Sequence, residues 1–218
     1  MRRFFRRHGL SVIMLGLFFV TFLVGQVIAG RKEYNEEREK RGSSPVGYKA
    51  YLRSSHFAEA TAENWESEFF QMFVFIVATA YLYQKGSAES KDPDKPHGHH
   101  TRKEVSPKAP WPVRRGGWVL RVYEHSLSFA FFALFAVSLA WHACGGHRLY
   151  NEERAGEGQP AIALSEYVKS SRFWFESLQN WQSEFLAIGC MVVLTIFLRE
   201  ANSPESKKVA TPHWENEE

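Results

Sequence analysis

The sequence predicts an all-α membrane protein with four transmembrane helices, arranged as two tandem, parallel-repeat helical hairpins. Two observations carry this reading. Apolar residues are gathered into four blocks with charged segments between them. A set of motifs then recurs at one fixed spacing, so that Tyr34-Asn35-Glu36-Glu37-Arg38 reappears 116 positions later as Tyr150-Asn151-Glu152-Glu153-Arg154. Averages hide both features. The 218 residues are 44% hydrophobic and 23% charged, with net charge +3 and mean hydropathy −0.33. That composition excludes a coiled-coil rod, a disulfide-rich secreted domain and a basic nucleic-acid-coating protein, so no nucleic-acid partner is expected.

The first block, Leu10 to Ala29, contains no charged residue. Its length of about 20 residues matches a hydrocarbon core of about 30 Å at 1.5 Å per residue. Arg2, Arg3, Arg6 and Arg7 precede it, and Val27-Ile28-Ala29 resembles a signal-cleavage site. A retained span is nevertheless expected, because the counterpart block lies in mid-chain. That third block runs from Ser126 through Trp141, His142 and Cys144 to Gly146. The second, Phe69 to Tyr83, and the fourth, Phe185 to Leu198, give only roughly 21 to 23 Å of helix. The turn before each must therefore enter the membrane boundary. The expected spans are 10–30, 64–84, 126–146 and 180–199.

The duplication covers more than these blocks. Tyr51-Leu52-Arg53-Ser54-Ser55 returns as Tyr167-Val168-Lys169-Ser170-Ser171. Asn64-Trp65-Glu66-Ser67-Glu68-Phe69 returns with Gln182 for Glu66, and Ser87-Ala88-Glu89-Ser90-Lys91 returns as Ser203-Pro204-Glu205-Ser206-Lys207. More than a third of positions from Tyr34 to Lys91 are identical to their partners. Between the first and third blocks, His8 aligns with His125 only after a one-residue shift. Each repeat thus reads as span, outer loop, span. Two spans return the chain to its starting side, so the repeats are parallel, with a pseudo-two-fold axis along the membrane normal.

The expected domains follow: a first two-helix repeat over 1–91, a flexible cytoplasmic linker over 92–117, a second repeat over 118–207 and a disordered tail over 208–218. The link from Gln84 to Glu124 has nine basic residues against five acidic, whereas the loop from His147 to Ser183 has four against five. Basic residues favour the cytoplasmic side, so both termini and the linker are placed inside a bacterial inner membrane. Ser54 or Ser55, and Ser170 or Ser171, are placed to cap the second helix of each repeat.

The repeated polar residues form the candidate site: Asn64, Ser67, Glu68, Arg38 and Tyr34, with Asn180, Ser183, Glu184, Arg154 and Tyr150. On a helix, Asn64, Ser67 and Glu68 share a face. A carboxylate near the hydrocarbon edge needs a partner, and Arg38 and Arg154 are the repeated candidates. A structural clamp in each hairpin is the favoured role. The sharper alternative is a cation or proton path through Glu68 and Glu184, but the deep halves of those spans carry no charge to continue it. Trp65, Trp141, Trp174 and Trp181 sit where interfacial aromatics gather.

No cofactor is expected. His97, His99 and His100 are the metal candidates, but lie in a Pro- and charge-rich linker that favours a solvated tether. A haem would need two facing histidines from His8, His125 and His142. His142 has no histidine counterpart, and His8 and His125 border wet basic segments. Cys144 and Cys190 are not equivalent in the repeat and read as small buried hydrophobes. Phosphate loops, nucleophile elbows and zinc-ligand spacings do not occur, so no enzyme is expected.

The N-W-E-S-E-F, Y-N-E-E-R and S-A-E-S-K motifs together resemble a family of small, uncharacterised bacterial membrane proteins classed as a domain of unknown function. The resemblance covers nearly the whole chain and implies membrane residence without a mechanism. The expected role is a structural or accessory inner-membrane component, with the lipid bilayer, a larger membrane complex or further copies of itself as partners. A small cation transporter and a haem-bearing electron carrier are the alternatives.

Overall fold

A computed structural model describes residues 2–95 and 106–216, with side chains from Phe4 onward. His97, His99 and His100 lie outside the described residues. The elements are all helical: α1 (Arg2–Thr21), a π-helical segment (Phe22–Ala29), α2 (Gly30–Lys40), α3 (Tyr48–Tyr51), α4 (Ser55–Tyr81), α5 (Trp111–Arg115), α6 (Gly117–Glu124), α7 (Ser126–Gly156), α8 (Leu164–Tyr167) and α9 (Ser171–Phe197).

Among the described residues, three helical stretches are long and apolar enough to cross a membrane: Phe4–Lys40, Ser126–Gly156 and Ser171–Phe197. The protein is accordingly read as a membrane protein. Four such helices were expected, and α4 is not among the three. The reason lies in its sequence, since an 18-residue window there must take in Asn64, Glu66, Glu68 and Gln71 beside the apolar run. The most apolar stretch of the first helix is 0% buried, against 17% for Ser126–Gly156 and 11% for Ser171–Phe197. In water such a surface drives association; in lipid it needs no cover.

The chain packs as two compact units, one of Met1–Asn64 with Leu139–Trp174 and the other of Trp65–Ser138 with Phe175–Glu218. This division cuts across the sequence repeats, because each unit draws on both halves of the chain.

In the first unit, the core is aromatic. Tyr51, Phe57, Tyr167 and Phe173 are buried. Tyr51 and Phe57 meet edge to face at 5.5 Å, and Tyr167 and Phe173 at 5.6 Å. Tyr51 Oη donates to the Gln26 carbonyl at 2.9 Å. It does so because Gly30 has no side chain: a Cβ there would stand 2.3 Å from that hydroxyl. Gly146 opens the same space for Tyr167, whose hydroxyl would lie 2.3 Å from an added Cβ. The Gln26 carbonyl belongs to the π segment, in which the Gly30 N–H reaches back five residues to Gly25. A π turn absorbs one extra residue in a helix. The first helix holds one more residue between His8 and Tyr34 than α7 holds between His125 and Tyr150, and no π turn occurs in α7. The shift seen in the sequence thus has a local structural counterpart.

Ser54 Oγ accepts the Phe57 N–H, and Ser170 Oγ accepts the Phe173 N–H. These are the expected serine caps. In the second unit, residues 208–216, expected to be disordered, are folded back. Asn216 is buried; its side-chain amide donates to the Gln84, Ser87 and Ser90 carbonyls and its oxygen accepts the Gly86 N–H. The buried Lys207 ammonium donates to the carbonyls of Pro212, His213 and Glu215. Proline and charge signalled disorder, yet one amide and one ammonium satisfy enough backbone carbonyls to hold the segment. The linker likewise contains α5, started by Pro112 in its first turn and ended by Gly116 at φ 70°.

Substituting Gly30 or Gly146 by valine should destabilise the protein by about 1–3 kcal/mol, because the tyrosine must leave its site. Tyr51→Phe should cost less, about 0.5–1.5 kcal/mol, having lost one hydrogen bond only. Thermal unfolding in detergent checks both; a valine variant as stable as wild type would contradict the contact.

Candidate functional site

The repeated Y-N-E-E-R motifs close loops. Asn35, in α2, donates to the Val46 carbonyl at 3.1 Å and accepts the Val46 N–H at 2.8 Å. Asn151, in α7, makes the same pair with Ile162, at 3.1 and 3.0 Å. Arg38 Nε donates to the Ser44 carbonyl at 2.9 Å, and Arg154 Nε to the Pro160 carbonyl at 2.8 Å. Each guanidinium also stands 5.7 Å from a tyrosine ring, Arg38 over Tyr34 and Arg154 over Tyr150. Each tyrosine in turn packs on the buried one, Tyr34 on Tyr51 at 5.8 Å and Tyr150 on Tyr167 at 5.7 Å. Arg38 and Arg154, expected beside Glu68 and Glu184, are committed to the loops that follow their own helices.

Burial, with the negative charge of Glu33 second, pushes the Tyr51 phenol above its ordinary value. Its hydroxyl therefore stays a donor throughout the physiological range.

The helical polar residues divide. Ser67 is buried, whereas Asn64 and Glu68 are exposed. Asn64 donates to the Ala60 carbonyl and Asn180 to the Glu176 carbonyl, one turn back in each case. Ser183 donates to the Asn180 carbonyl. Gln71 donates to the Glu184 carbonyl at 3.3 Å. The fully buried carboxylate is Glu66, the member of the motif that is not repeated, and it accepts the Trp181 indole N–H at 3.0 Å. Of the other tryptophans, Trp65 and Trp141 are half-buried and Trp174 is exposed.

The histidines also divide. His8 and His125 are exposed and rest on phenylalanines of their own helices, Phe4 and Phe129. His142 is buried, its ring 5.0 Å from Phe173. It meets two carboxylates of α4: one ligand atom from each of Glu59, Glu63 and His142 lies within 4.8 Å of the others. Gly145, one turn after His142, makes this approach close, since a Cβ on it would stand 2.8 Å from the Glu59 backbone nitrogen. Sequence reading missed this cluster because it searched for residues the repeats share. Glu59 and Glu63 correspond to Phe175 and Gln179, and His142 to Gln26. The available signal was the Glu-x-x-x-Glu spacing, which puts both carboxylates on one face of a helix.

At the opposite end of α4 and α9, the S-x-E-S-K motif forms two like turns. Ser90 Oγ accepts the Gln84 N–H at 2.7 Å, and Ser206 Oγ accepts the Glu200 N–H at 2.9 Å. Gly86 and Asn202, equivalent by position, both have positive φ, 85° and 67°.

The chain belongs to the DUF6766 family. That family, described as a domain of unknown function, matches residues 1–218. No curated protein and no solved structure matches the chain. Family membership therefore agrees with the resemblance carried by the motifs and adds no activity to it.

The Glu89 carboxyl is pushed above its ordinary value by burial first, then by the charge of Glu205 and a hydrogen bond between the two carboxyls. A raised value means that the folded state favours the protonated form. The stabilisation is complete below the unfolded value and is lost as pH rises through the folded one. Wild-type melting temperature should therefore fall as pH is raised from the acid range, and Glu89→Gln should flatten that dependence. Melts of both proteins across this range provide the check; parallel curves would remove Glu89 from the account.

Proposed function

We propose that this protein is a four-span structural or accessory component of a bacterial inner membrane, built from two tandem hairpins, with both termini on the cytoplasmic side. The observation that carries the proposal is how the shared polar residues are spent. Asn35 with Asn151, Arg38 with Arg154, Tyr51 with Tyr167 and Ser90 with Ser206 each serve loop, helix and turn closure at matching positions. These roles support a scaffold and leave the apolar helix exteriors as the surface for lipid or partner helices. The same matched contacts support the tandem-repeat architecture.

A fourth span is supported by the length of α4. It has 27 residues, as many as α9, and 27 residues of helix extend about 40 Å. Its inner part, from Phe69 to Tyr81, carries no charge. Parity then returns the chain to its starting side after each hairpin, and the basic linker places that side in the cytoplasm.

Two measurements test the reading. Single cysteines placed at Tyr48 and Lys91 in a cysteine-free background should label from opposite sides of the membrane. Labelling from the same side would mean that α4 does not cross. Native mass in mild detergent, on protein taken from its own membrane, should then exceed that of the monomer, with further copies or other polypeptides present. A clean monomer, together with cation flux that disappears in Glu68→Gln with Glu184→Gln, would overturn the scaffold in favour of transport.

A further inference from the structure

We infer that Glu59, Glu63 and His142 form a binding site for a divalent first-row transition metal, with Zn2+ the natural probe. The donors come from two helices. Glu59 and Glu63 lie four residues apart on α4, and His142 lies on α7. Their ligand atoms are mutually within 4.8 Å, and a shared ion at about 2.0–2.2 Å from each donor needs only small side-chain rotations to be reached. The imidazole selects against Mg2+ and Ca2+, which take all-oxygen shells, and two carboxylates with one imidazole suit Zn2+, Mn2+ or Fe2+. Three protein ligands leave a fourth position for water or an added ligand.

The surroundings are those of a built site. His142 is fully buried and its ring is braced against Phe173. Glu59 and Glu63 are half-buried, which leaves a route for an ion from solution. Gly145 sets the spacing of the two helices one turn away. At the equivalent positions the chain does something else: Gln26 Nε2 donates to Thr61 Oγ1 at 2.9 Å, an ordinary bond between helices. Histidine at this position, opposite two carboxylates, adds a chemistry that the other half lacks. An ion held there joins α4 to α7, and thereby the two halves of the sequence.

The test uses full-length, tag-free protein in mild detergent, stripped with chelator and titrated with Zn2+ and Co2+. To separate this site from the linker histidines, it is repeated in a variant carrying His97→Ala, His99→Ala and His100→Ala. One equivalent of Zn2+ should bind in both backgrounds. His142→Gln should weaken binding at least roughly tenfold, and Glu59→Gln and Glu63→Gln should each weaken it, with helical content unchanged. If a variant fails to fold, X-ray absorption of the wild-type Zn2+ complex decides: a shell with one imidazole and otherwise oxygen supports the site. A shell of several imidazoles, binding lost with the linker histidines, or no retained ion overturns it.

Discussion

Two tyrosines brought back against helix glycines hold the first unit of this protein together. A helix leaving a membrane has polar backbone to satisfy and an irregular loop to close, and neither is helped by lipid. Gly30 and Gly146 give up their side chains so that Tyr51 and Tyr167 reach the helix backbone. Everything near them follows from that approach. Tyr34 and Tyr150 pack on the buried rings, Arg38 and Arg154 lie over those tyrosines, and Asn35 and Asn151 pin the loop strands from the same helices. Ser54 and Ser170 then start the returning helix within a turn of the tyrosine. Moving the tyrosine would release the loop, the cap and the aromatic core as one cluster.

Beside that aromatic cluster, many buried side chains are polar and many exposed ones apolar. Among the described residues, the buried side chains include Glu66, Ser67, Gln71, Ser138, Ser177, Lys207 and Asn216, while Phe, Leu and Val side chains crowd the exposed surface. A water-soluble protein of this size would invert that arrangement. Where lipid covers the outside for nothing, burial is worth most to groups that need hydrogen bonds. Asn216 shows the consequence away from the apolar helices, since one amide joins four backbone groups and orders a tail that composition alone marks as free.

Much of the fold was legible because hydropathy and repetition are strong signals. Block lengths located the helices and the serines marked their starts, while the one-residue shift between His8 and His125 was read without the π turn that the structure places there. The partners of Arg38 and Arg154 were not legible. Spacing along a helix says which residues share a face, but a loop carbonyl six residues away competes for a guanidinium as well as a distant carboxylate does. Ser44 and Pro160 win that competition locally. The docked tail and α5 were missed for a related reason: composition reports the average cost of ordering a segment, not whether a particular lysine or asparagine finds its carbonyls.

The buried groups that repetition did not flag are those on which the two halves disagree. Residues that both copies keep serve what both copies must do, which is to close a loop and return a helix. A function performed once per molecule can rest on differences between the copies. Glu66 against Gln182 is one such difference, and it places a carboxylate, buried in full, under the Trp181 indole. Glu59 against Phe175, Glu63 against Gln179 and His142 against Gln26 are three more, and these three converge on one point. Their meeting in space, around a buried imidazole and beside a glycine that brings the backbones together, is the geometry on which the proposed metal site rests.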